Sequence, residues 1–252
     1  MTNSIIDTSQ HKAARVAGFM FLFSLIVPSL NWAFVLSKLI VAENVMATAN
    51  NIMANELLFR LGIAIELFMS VGLIVLALAL YIILKPVNKD LALLALSLKL
   101  AEAVIVAVIV LASFIALQIL NGEAYLTAFS PEQLQAPVGF LLNKHTVLFS
   151  IPMVFLGMDM IVFSYLFFRS KYIPRILAGF GVLSFVLIFI HALMYILAPK
   201  YAMMLITQTI FYVPSGLFEL IIGMWLLFKG IKVQQGDIRA SESAKTDTNE
   251  IK

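Results

Sequence analysis

Eight ionisable side chains lie within or beside long apolar stretches of this 252-residue sequence, and they fall into two sets. The first is Lys99, Glu102, Asp159 and Glu219; the second is Arg60, Glu66, His145 and His191. Charged groups are expensive in an apolar environment, so where they occur they face a bundle interior or a wet cavity and are the first candidates for chemistry. Lys99 and Glu102 stand one helical turn apart and can pair along one face. Three carboxyls against one ammonium cannot all be ionised comfortably, so charge balance leaves at least one carboxyl holding a proton. Such a cluster suits a path for a small solute or a proton. The same residues also admit a structural reading, with Lys99–Glu102 neutralising itself and the other carboxyls acting as interhelical hydrogen-bond glue.

The second set suggests different chemistry. His145 and His191 fall near the same membrane face on two consecutive spans, and two imidazoles in that relation could bracket a haem iron. The alternative is a pair of interfacial histidines bonded to backbone or water. A three-histidine zinc site is disfavoured because His11 belongs to the other side of the membrane. The sequence has no cysteine, which excludes disulfides, thiolate catalysis and Cys-ligated metal. It also has no phosphate-binding glycine loop, no Gly-x-Ser-x-Gly elbow and no His-Glu-x-x-His pair, so ATP-driven transport by this chain alone is not expected. No resident cofactor or metal is predicted.

The elements that must position these groups follow from composition. Hydrophobic residues make up 62% of the chain and charged residues 12%, against about half and a quarter in soluble domains. Mean hydropathy is +1.01. So much apolar surface cannot be hidden in water, and the bilayer is the expected partner. The pI of about 9.1 does not point to nucleic acid, because the basic residues sit at span edges.

The expected fold is all-α, a polytopic membrane bundle of six spans at about 16–36, 57–84, 91–120, 138–168, 174–198 and 203–228. Each exceeds the ~20 residues that cross a hydrocarbon core. The first has too long an apolar core for a signal peptide and is expected to remain as a span, with Pro28 kinking it. Lys85-Pro86 closes the second. The fourth contains Pro152, Pro174 opens the fifth, and Pro214 lies inside the sixth. Residues 1–12 read as a cytoplasmic tail, 13–230 as the membrane domain, and 231–252 as a disordered cytoplasmic tail. Of the two long outer connections, 38–56 suits an interfacial helix. The other carries Ser130-Pro131-Glu132-Gln133-Leu134, a helix-start pattern. Of the 17 lysines and arginines, twelve fall on the side of the N-terminus, four on the other, and Lys99 lies within a span. That bias predicts both termini in the cytoplasm. By span position, Glu102 and Glu219 lie within roughly 15 Å of the cytoplasmic ends of their helices, with Asp159 in the same layer. Glu66, His145 and His191 lie nearer the outer face, with Arg60 at the rim.

Several ordered motifs support a family resemblance: Phe59-Arg60-Leu61-Gly62-Ile63, Ala77-Leu78-Ala79-Leu80-Tyr81, Leu84-Lys85-Pro86-Val87-Asn88 and Lys99-Leu100-Ala101-Glu102-Ala103. Further along stand Ala128-Phe129-Ser130-Pro131-Glu132-Gln133-Leu134 and the run from Tyr165 through Arg169-Ser170-Lys171-Tyr172-Ile173-Pro174-Arg175 to Gly179. From about Lys12 to Gly230 the chain resembles a bacterial membrane family, the domain of unknown function numbered four-three-eight-six. The resemblance implies a multi-pass protein of the bacterial inner membrane without an assigned activity, and it draws attention to Arg60, Glu102, His145 and Arg175. The family often carries histidine where Asp159 stands here. That departure weakens a family-wide metal or haem reading and leaves a proton-carrying role open. The leading expectation is small-solute or proton-linked transport through the first set. Intramembrane redox chemistry at the histidines, or a non-catalytic accessory or stress-response role, are the alternatives.

Overall fold

A computed structural model describes residues 2–41, 44–122, 138, 141–142 and 145–232, apart from the side chains of 2–8, 145 and 146. Among these residues all regular structure is helical. Six helices are long and apolar enough to cross a membrane. The Ser130–Leu134 motif and the tail beyond residue 232 lie outside the described residues.

Helix α1 (Thr2–Asn31) already spans most of the expected N-terminal tail. It continues through a π-helical stretch, Trp32–Leu36, into Ser37–Leu39. Pro28 lacks an N–H and crowds the carbonyl one turn back, and the wider π turn follows directly beyond it. Helix α2 (Val45–Ala54) is capped by Asn44, whose side chain accepts from the Ala47 N–H at 2.9 Å. It is followed without a gap in the fold by α3 (Glu56–Leu84), which stops at Lys85-Pro86.

Asn88 caps α4 (Lys89–Leu120), its side chain accepting from Leu91 N–H at 2.9 Å. At ~1.5 Å per residue α4 is about 48 Å long, more than a ~30 Å hydrocarbon core, so it tilts or projects. Two helical pieces lie in the region expected as the fourth span. His145–Leu148 forms a separate turn, and α5 runs only over Ser150–Ser170. Pro152 has no N–H to donate to the preceding turn, so it is tolerated in a first helical turn and sits there rather than mid-helix. Lys171 ends α5 in the left-handed region, at φ 57°. Pro174 immediately precedes α6 (Arg175–Leu197), a single turn follows at Pro199–Ala202, and α7 (Leu205–Phe228) completes the set.

The six long helices form a closed ring in chain order, α1–α3–α4–α5–α6–α7, with α7 returning to α1. Gly230 lies against His11, so the start of α1 and the end of α7 share one face of the ring. At that face Gln10 Nε2 donates to the Ile83 carbonyl at 3.0 Å, and Lys232 N–H donates to the Tyr172 carbonyl at 3.0 Å. The same face carries three cations stacked on aromatic rings: Lys85 on Tyr81, Arg175 on Phe168 and Lys229 on Trp225.

A phenylalanine plug closes the ring toward this end. Phe218 packs edge-on against Phe185 at 5.6 Å and Phe21 at 6.4 Å, and all three are buried. A second core joins Val35, Leu36 and Leu39 to Phe59 and Leu117 toward the opposite end. The outer surface is a belt of exposed Leu, Ile, Val and Phe, including Phe68, Val104, Ile176 and Phe228. In water such a belt would be an aggregation surface; against acyl chains it is the matched solvent.

Candidate functional site

Between the two cores the ring encloses a cavity of about 580 Å³ to which all six long helices contribute. Leu25, Leu73, Leu76, Met153 and Leu156 form much of its wall, and Lys99, Glu102 and Glu219 are its charged lining. It therefore joins an apolar chamber to a charged floor.

The floor is built from three helices. On α4, Lys99 Nζ donates to Glu102 Oε2 at 2.9 Å, the within-helix pair that the three-residue spacing predicts. From α5, Asp159 Oδ1 lies 3.2 Å from the same ammonium. That contact is an ion pair without hydrogen-bond alignment, and neither Asp159 oxygen has a hydrogen-bond partner among the described residues. Lys99 is 1% exposed, Glu102 2% and Asp159 0%, so each ion has given up its water. Only the mutual attraction offsets that loss. Asp159 does not reach the cavity; it braces Lys99 from behind the wall. Of the four groups expected to line one path, Lys99, Glu102 and Glu219 line this cavity, and Asp159 contacts it through Lys99.

Glu219, on α7, reaches the chamber half-buried and lies within electrostatic range of Lys99 and Glu102. It makes no hydrogen bond or salt bridge among the described residues. With Lys99 already flanked by two carboxyls, Glu219 is the acidic group left facing open space.

Of the second set, the side chains of Arg60, Glu66 and His191 are described. Arg60 is exposed and pairs with Glu56 one turn away, Nη2 to Oε1 at 2.6 Å, while Asn121 Nδ2 donates to the same oxygen at 3.2 Å. Glu66 is buried beside a space of only about 10 Å³ near Ser113 and Phe59, room for one water at most. His191 is fully buried, boxed by the rings of Tyr195, Phe211 and Tyr212 at 4.9–5.3 Å. Its Nε2 lies 3.1 Å from the Ala202 carbonyl, and its Nδ1 has no partner among the described residues. An axial-ligand role would need that carbonyl contact or the aromatic box to open. The side chain of His145, the other half of the expected bracket, lies outside the described residues. No group of three or more His, Asp or Glu side chains suited to a metal ion occurs among the described residues.

Several parts of the site come from residues that sequence reasoning did not single out. Trp32, in the π-helical stretch after α1, and Tyr212, on α7, line the chamber. Ser70 Oγ donates to the Ala103 carbonyl at 2.8 Å, tying α3 to α4 just beyond Glu102. Gly18 and Gly223 let α1 and α7 meet backbone to backbone, the small-residue contact that membrane helices favour. Glycine, serine and tryptophan at such positions are the available signals, but each type is common in apolar helices for other reasons.

Fold and cavity define a class, a polytopic helical membrane protein with an intramembrane chamber. Residues 16–230 match the family described as Domain of unknown function (DUF4386), and the chain belongs to that family. No curated protein and no solved structure matches the chain.

Proposed function

We propose that this chain is a small-solute permeation protein of the bacterial inner membrane. In this reading both termini face the cytoplasm, and the chamber binds a solute whose passage is coupled to a proton held by the buried carboxyls. The chamber itself carries the reading: about 580 Å³ of space walled by all six long helices, with Lys99, Glu102 and Glu219 reaching its surface. That volume suits a small organic molecule. Ionisable groups at membrane depth are rarely retained without a counter-charge, a proton or a substrate to meet them. Three carboxyls share one ammonium here, so either a proton or a cationic solute relieves the excess negative charge. The basic residues at the face holding both chain ends support the orientation.

The test uses vesicles containing the purified protein and an internal pH dye. Small amines, carboxylates and neutral polar solutes are added outside, one at a time. At least one should change the internal pH faster than in protein-free vesicles, and Glu102→Gln/Glu219→Gln should abolish that response. If wild-type, variant and empty vesicles behave alike across all three solute classes, the permeation reading fails.

A further inference from the structure

Resting on the chamber reading, the geometry points to a ligand class and a way in: an amphiphile with a protonated amine head, entering sideways from the lipid between α1 and α7. Most residues lining the chamber are buried or half-buried. The exposed ones are Ser29 on α1, Trp32 in the π-helical stretch that continues it, and Tyr212 on α7, and they flank a single seam. These two helices are also the least enclosed of the six.

The seam is tight at one end and loose at the other. Toward the chain termini, a Cβ on Gly18 would stand 2.5 Å from Leu227 N and 2.7 Å from the Gly223 carbonyl oxygen, so the backbones touch. Seven residues farther along each helix, before Pro28 on α1 and Pro214 on α7 are reached, the contact has already thinned: a Cβ on Gly216 would meet only Leu25 Cδ1, at 3.8 Å. Beyond that contact lie the exposed lining residues. Tight at the glycines and loose from Leu25 and Gly216 onward, the pair of helices frames a slot facing acyl chains. Trp32 and Tyr212 at its rim are the amphipathic aromatics that suit a headgroup boundary.

The interior selects the ligand by charge. Lys99 is already satisfied by Glu102 and Asp159, so an anionic head finds no free cation in the lining. Glu219 is unpaired among the described residues and faces the chamber, which favours an ammonium. It lies on α7 seven residues from Tyr212, about 10 Å along the helix. An amine held at Glu219 therefore leaves an apolar tail running along Leu25, Leu156 and Met153 toward the slot.

The chain has two tryptophans, and the second, Trp225, lies beneath Lys229 at the far face. In a Trp225→Phe background Trp32 alone reports the slot. We would reconstitute that protein in phosphatidylcholine nanodiscs and titrate it with ω-bromododecylamine, whose bromine quenches nearby indole. The uncharged ω-bromododecanol serves as the partition control. Saturable quenching by the amine, with half-saturation at least tenfold lower than for the alcohol and lost in Glu219→Gln, is the expected result. Equal quenching by amine and alcohol, or a Glu219→Gln variant that binds like its parent, overturns the proposal. The absence of cysteine permits a second variant, Ser29→Cys/Tyr212→Cys, joined across the seam by a bismaleimide. Quenching of the same variant before joining is the baseline, and joining should abolish it; quenching unchanged by joining places entry elsewhere and overturns the lateral route. If the amphiphile fails while a water-soluble amine still drives the vesicle pH response, the chamber reading stands and only this inference falls. If both fail, the chamber reading falls with it.

Discussion

Replacing Lys99 with methionine removes the cation from the buried cluster and leaves Glu102 and Asp159 facing each other without compensation. The two contacts, at 2.9 and 3.2 Å, each correspond to about 5 kcal/mol of Coulomb energy at an effective dielectric near 20. Desolvation of the three ions consumes most of that gain, yet removing one partner exposes the full penalty of the others, about 3–5 kcal/mol. For a chain of this size each kcal/mol moves Tm by roughly 2–4 °C, so Lys99→Met should lower Tm by about 10 °C. The informative comparison is Lys99→Met/Glu102→Gln/Asp159→Asn, which removes every charge with little change in volume. It should unfold at or above the wild-type temperature, because no ion then needs to be stripped of water. Both are measured by thermal unfolding in one detergent, followed by tryptophan fluorescence. An unchanged Tm in the single variant would show that the cluster is not ionised as drawn. A triple variant as unstable as the single one would make these charges structural glue and remove the main support for a functional floor.

Four further outcomes follow from particular contacts. Gly18→Val forces side-chain carbon against the α7 backbone and should destabilise the protein by about 1–3 kcal/mol, seen as a lower Tm. His191→Phe keeps the aromatic box but loses the contact to Ala202, so the protein should lose about 1–2 kcal/mol and become more easily proteolysed around Pro199–Ala202. Arg60→Gln breaks an exposed one-turn pair and should leave Tm unchanged, more clearly so in high salt. Reporter domains fused to either end should both be active in the same compartment, the cytoplasm; opposite readings at the two ends would contradict the ring.

The sequence makes the helices legible because twenty or more apolar residues in lipid have little choice: backbone groups must bond within the segment. The Lys99–Glu102 pair is legible for the same local reason, since residues three apart share a helix face. Asp159 as the partner of Lys99 is not, because it depends on how α5 docks against α4. Angular bookkeeping within one helix would have separated the second set. Arg60 and Glu66, six residues apart at ~100° each, point about 120° from one another, one outward and one inward. Pro152 illustrates a different limit. Proline inside an apolar run reads equally as a kink or as a first turn, and only packing decides between them.

The chamber is the least legible feature, since no residue specifies a void. It exists because α1 and α7 are drawn together at Gly18 and Gly223 while Pro28 and Pro214 interrupt the helices farther along. Filling it would take only larger side chains at Ser24, Ser215 or Gly216, all of which line it. In lipid, closer packing at those positions would add van der Waals contact, the main force that holds membrane helices together. A sequence under no pressure except stability would therefore close this space and neutralise Glu219. The small residues and a carboxyl unpaired among the described residues together lower stability at one place in the bundle; in the proposed permeation reading, a bound solute compensates for both.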